Sequence, residues 1–94
     1  MLGINVTYTM KPGMREEFLR RLEEGNFRQT VLAEAGCLGY DYYRGVEDEN
    51  ILLLVERWTD RQAQQLHLQQ PHMALVRAAK EACAEDTRLE LYDL

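Results

Sequence analysis

The chain has 94 residues, 46% of them hydrophobic and 29% charged, with a formal net charge of −5. That length specifies one domain, residues 1–94, and so short a chain buries only roughly 60–65% of the surface its unfolded form exposes, which makes pairing with a second copy the simplest way to cover more. The acidic balance and the absence of a long Lys/Arg run exclude nucleic-acid backbones and anionic membranes as partners, and no apolar stretch approaches the ~20 residues of a bilayer span.

Residues 2–10 alternate, with Leu2, Ile4, Val6, Tyr8 and Met10 on one face and Asn5, Thr7 and Thr9 on the other. This predicts a first strand rather than a signal peptide, and a cytoplasmic protein. Pro12-Gly13 breaks the strand, and helical spacing then runs through Met14, Phe18, Leu22, Phe27, Val31 and Ala35, bent or divided at Gly25-Asn26. Gly36 suits a helix C-cap, and the following Cys37–Gly45 carries Leu38, Tyr40, Tyr42 and Tyr43, an aromatic-rich strand pattern. After a polar turn at residues 47–50, Ile51–Val55 is an unbroken apolar run that ends in Glu56-Arg57-Trp58, which predicts an antiparallel hairpin with the preceding strand. Continuous apolarity implies cover on both faces, by helices on one and a partner subunit on the other. Asp60 is a good N-cap for a short helix through Gln70, and Pro71 suits the first turn of another, with Leu75, Val76, Ala79 and Ala82 as its apolar stripe. Arg88–Leu94 alternates as a closing strand, with Leu89 and Leu91 facing one way. The order βαββαβ predicts a ferredoxin-like α+β sandwich, a four-stranded antiparallel sheet with helices on one side.

Rare side chains concentrate at one junction, where the only Trp and both His fall within Trp58–His72. His67 lies between Leu66 and Leu68 on the short helix, either as a core histidine held by one hydrogen bond or as a base near neutral pH. His72 is five residues further on, a spacing that does not share a helix face, so a two-His metal site is not expected; the carboxylate placed for one is Glu56. His72 is expected to pack or cap near a helix start. Trp58 is a core anchor or a platform for an aromatic ligand, and Glu56, two residues earlier on the same face, points inward with it and needs a partner. Asn5 on the first strand, and Tyr40, Tyr42 and Tyr43 on the second, are candidates for a pocket or a dimer seam. Cys37 and Cys83 read as two buried reduced thiols. No Gly-rich phosphate loop or nucleophile elbow is present, so neither a nucleotide nor a flavin has a visible cradle.

Lys11-Pro12-Gly13, Glu34-Ala35-Gly36-Cys37-Leu38-Gly39-Tyr40, Glu56-Arg57-Trp58-Thr59-Asp60 and His67-Leu68-Gln69-Gln70-Pro71-His72-Met73 together resemble the antibiotic biosynthesis monooxygenase family. The resemblance implies a ferredoxin-like fold that dimerises through its sheets, and a small oxygenase using neither metal nor flavin. In such a site an apolar pocket binds a readily oxidised phenol or quinol, helps remove its proton and admits O2. Leu54 and Gln64 stand where the polyketide-tailoring branch has Asn and Tyr. Asn5 matches the haem-degrading branch, but His67 and Arg77 replace its Trp and its axial His. The stretch from His67 to Met73 is most similar to the quinol monooxygenase branch, which implies a homodimer acting on a small quinol or phenolic aromatic with O2. His67 is then the catalytic base or anchor, with Asn5, Trp58, Tyr40 and His72 as substrate-binding residues and no cofactor. The alternatives are a non-catalytic small-molecule-binding dimer and an isomerase of a small carbonyl compound or phospho-sugar signal.

Overall fold

The computed structural model describes all of residues 1–94. The alternating segment at the N-terminus forms β1 (Leu2–Met10), and its even-numbered residues Leu2, Ile4, Val6, Tyr8 and Met10 are all buried. The helical stretch that follows is divided where the sequence suggests: α1 (Arg15–Glu24) and α2 (Phe27–Leu32) meet at Gly25 and at Asn26, whose φ of 53° is left-handed. Asn tolerates that region because its short polar side chain bonds locally. Next come β2 (Cys37–Arg44), β3 (Ile51–Trp58), α3 (Arg61–Leu68), α4 (Met73–Cys83) and β4 (Ala84–Asp93).

The sheet has strand order β2-β3-β1-β4 with every pairing antiparallel, the ferredoxin-like α+β arrangement expected from the element order. The helices cover one face, where Phe18 and Leu22 of α1, Phe27 and Val31 of α2, and Val76, Ala79 and Cys83 of α4 pack on the buried side chains of β1 and β3. Both cysteines are free, but only Cys83 is fully buried. Strand β3 explains its unbroken apolarity in two ways. Leu52, Leu54 and Trp58 enter the core, whereas Ile51, Leu53 and Val55 stay half-buried on the open face.

Two boundaries differ from the sequence reading. Strand β4 begins at Ala84 rather than Arg88, because Ala84, Asp86 and Thr87 pair with Met10, Thr9 and Tyr8 of β1. Edge-strand hydrogen bonding, not apolar alternation, defines that extension, and Leu89 and Leu91 remain exposed. Helix α4 begins at Met73, so Pro71 and His72 form a turn ahead of it.

Gly36 fixes the loop between α2 and β2 against the start of α3. Its φ is +83°, a Cβ there would lie 2.6 Å from the Ala63 Cβ and 2.7 Å from Thr59 Oγ1, and its carbonyl accepts from Thr59 N at 2.9 Å. A left-handed side chain costs about 1–2 kcal/mol before any clash. Gly36→Ala should therefore lower the unfolding free energy by about 2 kcal/mol or more in denaturant melts. A loss near zero would mean that the loop is free to move away from α3.

Candidate functional site

The end of β3 supplies the floor of the site. Strand alternation turns Glu56 and Trp58 to the helix face, and Trp58 is fully buried. Its indole Nε1–H donates to Glu56 Oε1 at 3.0 Å, so the inward carboxyl finds its partner two residues along its own strand. A β-bulge between Cys37 and Gly39 sets Tyr40 directly across from Glu56 on β2, while Ile4 lies across from it on β1. No Lys or Arg pairs with this carboxyl. Burial pushes its pKa up to about 7; the Trp58 N–H opposes the rise and the negative charge of Glu34 adds to it. The neutral, protonated form of Glu56 is thus favoured far above the usual carboxylate range.

Helix α3 supplies the wall. Asp60 caps it as expected, its Oδ1 accepting from Ala63 N at 2.9 Å, and the inward face carries Gln64 and His67. His67 is 1% exposed and stacks at a tilt on Trp58 with ring centroids 4.7 Å apart. Its Nδ1 lies 2.8 Å from Glu34 Oε2. Because a carboxylate only accepts, that contact places the imidazole proton on Nδ1 and leaves the lone pair on Nε2. Burial pushes the His67 pKa down, against the raising effect of the Glu34 hydrogen bond and charge. A neutral ring with a free Nε2 lone pair is the form a general base needs.

The third element is a turn. His72 Nε2 lies 2.7 Å from the same Glu34 Oε2, and its ring packs edge-on against Phe27 with centroids 5.8 Å apart. The expectation that five residues separate the two histidines holds only along one continuous helix. Here α3 stops at Leu68 and the Gln69–His72 turn folds His72 back, so both rings converge on one carboxylate, and His72 makes no side-chain cap on α4. The carboxylate that meets them is Glu34, not Glu56. Sequence reading missed Glu34 as a site residue because it is 33 and 38 positions from its partners; its one visible signal was its place beside Gly36 in the Glu34–Tyr40 motif.

Of the residues singled out from sequence, the structure brings together His67, Trp58, Tyr40 and His72, with Tyr40 edge-on to His67 at 5.8 Å. It does not bring in Asn5. That residue faces the opposite side of the sheet, where the Tyr92 hydroxyl donates to its Oδ1 at 2.9 Å. The odd-numbered positions of β1 point away from the helices, so within one chain Asn5 and His67 are separated by the sheet.

Tyr8, Tyr40 and Tyr42 all face the helix side, and burial, reinforced by the Glu56 charge, pushes each phenol well above its ordinary pKa. They remain protonated at any physiological pH. Tyr42 Oη is the one sealed side-chain polar atom without a hydrogen-bond partner. The ring of Tyr42 also lines a cavity of about 560 Å³ between α1, α2 and the outer half of the sheet, together with Leu19, Leu22, Phe27 and Leu52. The cavity does not reach His67, Trp58 or Glu56. It shares Phe27 with the cluster, and Tyr40 fills the interval, 6.0 Å from Phe27 and 5.8 Å from His67 by ring centroids.

An antiparallel ferredoxin-like sheet with an ionisable aromatic cluster between β3 and α3 defines a class of small α+β proteins, and comparison narrows it. Residues 1–79 match the antibiotic biosynthesis monooxygenase family. YcnE of Bacillus subtilis, named as a candidate monooxygenase, is 33% identical over 72 residues, 77% of this chain and 74% of its own length. The uncharacterised protein sll1783 of Synechocystis is 27% identical over 86 residues, 90% of this chain; the chain spans only 57% of that relative. PA3566 of Pseudomonas aeruginosa superposes with a TM-score of 0.84 at 29% identity, covering 99% of this chain and 93% of the other. The chain belongs to the antibiotic biosynthesis monooxygenase family. No helix in it is long and apolar enough to cross a membrane.

Proposed function

We propose that the protein is a homodimeric, cofactor-independent monooxygenase that oxidises a small quinol or phenolic aromatic with O2, using His67 as its base. The observation that carries this reading is the Glu34–His67 contact, which favours the Nδ1–H tautomer and leaves Nε2 without a hydrogen bond on a ring packed against Tyr40 and Trp58. The family membership and the name given to YcnE support the reaction class. The substrate docks in the cavity beside Phe27 and Tyr42, and a turn of the Tyr40 ring, which fills the interval, opens the way to His67. The phenol proton passes to His67 Nε2, and the electron-rich anion that remains reduces O2 and forms a C–O bond to it. Protonated Glu56 supplies the proton for the resulting peroxide; the carbon that bears it then returns its C–H proton to the Glu56 carboxylate as the O–O bond breaks to leave a ring carbonyl, and the departing hydroxide takes the proton held on His67 to become water. One oxygen atom ends in the product, the other in water, and all electrons come from the substrate.

Oxygen uptake by metal-free protein with a panel of reduced naphthoquinols, above the rate of autoxidation, is the expected result. Tight binding of those quinols with no uptake would instead establish a binding protein. A specific observation favours a second reading: His67, whose pKa burial pushes down, and Glu56, whose carboxyl burial pushes up to about 7, flank Trp58 as a base and an acid, which suits isomerisation of a small carbonyl compound or phospho-sugar by two proton transfers. Solvent deuterium entering such a substrate without oxygen consumption would select it.

Dimerisation is assigned to the open sheet face, where Leu53 and Val55 lie half-covered in register with Thr7 and Asn5. On this assignment Asn5 belongs to the seam between copies, and reaches a substrate only there. Light scattering at micromolar concentration should give twice the chain mass, and Val55→Asp should halve it, because a buried unpaired charge is strongly disfavoured. A monomeric parent protein sinks the assignment.

A further inference from the structure

Glu34, His67 and His72 come from three separate segments, the loop after α2, helix α3 and the turn before α4, yet their donor atoms all lie within 4.8 Å of one another. Their side chains are 10%, 2% and 21% exposed. Glu34 has no Lys or Arg partner; two imidazoles are its only side-chain hydrogen-bond partners, and both use Oε2, which leaves Oε1 without a hydrogen bond. A largely buried carboxylate with no cationic partner is an unusual arrangement, since burial of an unpaired charge is costly. Two imidazole nitrogens and a carboxylate are a ligand set that suits zinc and the other divalent first-row transition ions.

We infer that Glu34, His67 and His72 form a binding site for a divalent transition-metal ion, held through His67 Nδ1, His72 Nε2 and the Glu34 carboxylate. An ion about 2.0–2.1 Å from each nitrogen requires the carboxylate oxygen to retreat from the two rings by roughly half an ångström and the two nitrogens to lie no more than about 4.2 Å apart, small movements of the Glu34 and histidine side chains. The fourth position falls to Glu34 Oε1 or to water entering from the exposed side of His72. Coordination moves one proton on each ring, because His72 Nε2, which also faces the carboxylate, must likewise give up its hydrogen and carry it on Nδ1. A neutral imidazole that gives its Nδ1 lone pair to a metal carries its hydrogen on Nε2, so His67 changes from an acceptor at Nε2 to a donor there. The site itself does not depend on the proposed oxygenase reaction; its consequence does, because on that reading the ion removes the base and shuts the reaction off.

The test is a titration of chelator-treated protein with Co2+, read by its visible d–d absorption, with Zn2+ then added as a competitor. One equivalent should bind with nitrogen-ligand absorption, and Zn2+ should abolish the signal by displacement. His72→Ala and Glu34→Ala should each weaken binding by more than the roughly 100-fold that loss of even an outer partner brings. Thermal melts of both variants, and of the milder His72→Asn, ensure that a folded variant is compared. Absent binding, or weak oxygen-only binding that His72→Ala leaves unchanged, overturns the site. In the same samples, Zn2+ should suppress quinol oxidation and chelator restore it. Binding without turnover in metal-free protein would refute the oxygenase reading and keep the site, while turnover without binding would do the reverse.

Discussion

His67→Ala in metal-free protein should reduce quinol-dependent oxygen uptake by about 10²–10⁴-fold, the range a positioned general base contributes. This ring is the more buried of the two imidazoles and its Nε2 makes no hydrogen bond, whereas His72 spends its Nε2 on Glu34 and is partly open to solvent. Glu34 touches no substrate on this reading and acts through His67, so its replacement should give a different signature. Glu34→Gln keeps the shape but offers an amide that supports either tautomer, and kcat should fall by about 10–100-fold with KM nearly unchanged. A purely structural Glu34 would instead lower the melting temperature and leave kcat per folded molecule intact. Equal activity of His67→Ala and the parent protein would remove His67 from the mechanism altogether. Oxygen electrode rates over a quinol concentration series separate these outcomes.

The strands and helices were legible because their signals are local. Alternation in Leu2–Met10, the break at Gly25-Asn26 and the Asp60 cap each depend on a few neighbouring residues, and each appears in the structure as read. The start of β4 was not legible, because Glu85 and Asp86 carry no apolar alternation and are strand only by pairing with β1. The site divides along the same line. That Glu56 faces inward with Trp58 follows from a spacing of two, and it does; that its partner is Trp58 itself is a matter of rotamers, which a sequence does not show. Nothing local connects Glu34 to His67 and His72. Their meeting is a product of the whole β2–β3–α3 arrangement, with Gly36 holding the Glu34 loop against the first turn of α3. Asn5 illustrates the reverse case. Its face was readable from alternation, and that same face removes it from the His67 side of the sheet.

Glu56→Gln should make the protein more stable at alkaline pH while weakening its chemistry. Burial pushes the carboxyl from its ordinary 4.5 up to about 7 in the folded protein. Between those two values the folded state holds more protons than the unfolded state, so stability falls as pH rises through the interval, then stays level above about 7. At 1.36 kcal/mol per unit, the full penalty for ionising Glu56 in the folded protein is on the order of 3 kcal/mol. The groups that face it supply no relief: Tyr8, Tyr40 and Tyr42 are neutral phenols, Glu34 is a like charge, and Trp58 gives a single N–H. Gln retains an oxygen acceptor for that N–H and cannot ionise. Urea melts near pH 5 should therefore find the two proteins similar, whereas near pH 8 the variant should exceed the parent by up to about 3 kcal/mol. Parallel stability curves across that range would show that the carboxyl ionises without penalty, and with it would go the case for Glu56 as the proton donor. If the curves diverge as expected and turnover falls in Glu56→Gln, the buried acid is kept at the expense of stability because the reaction needs its proton.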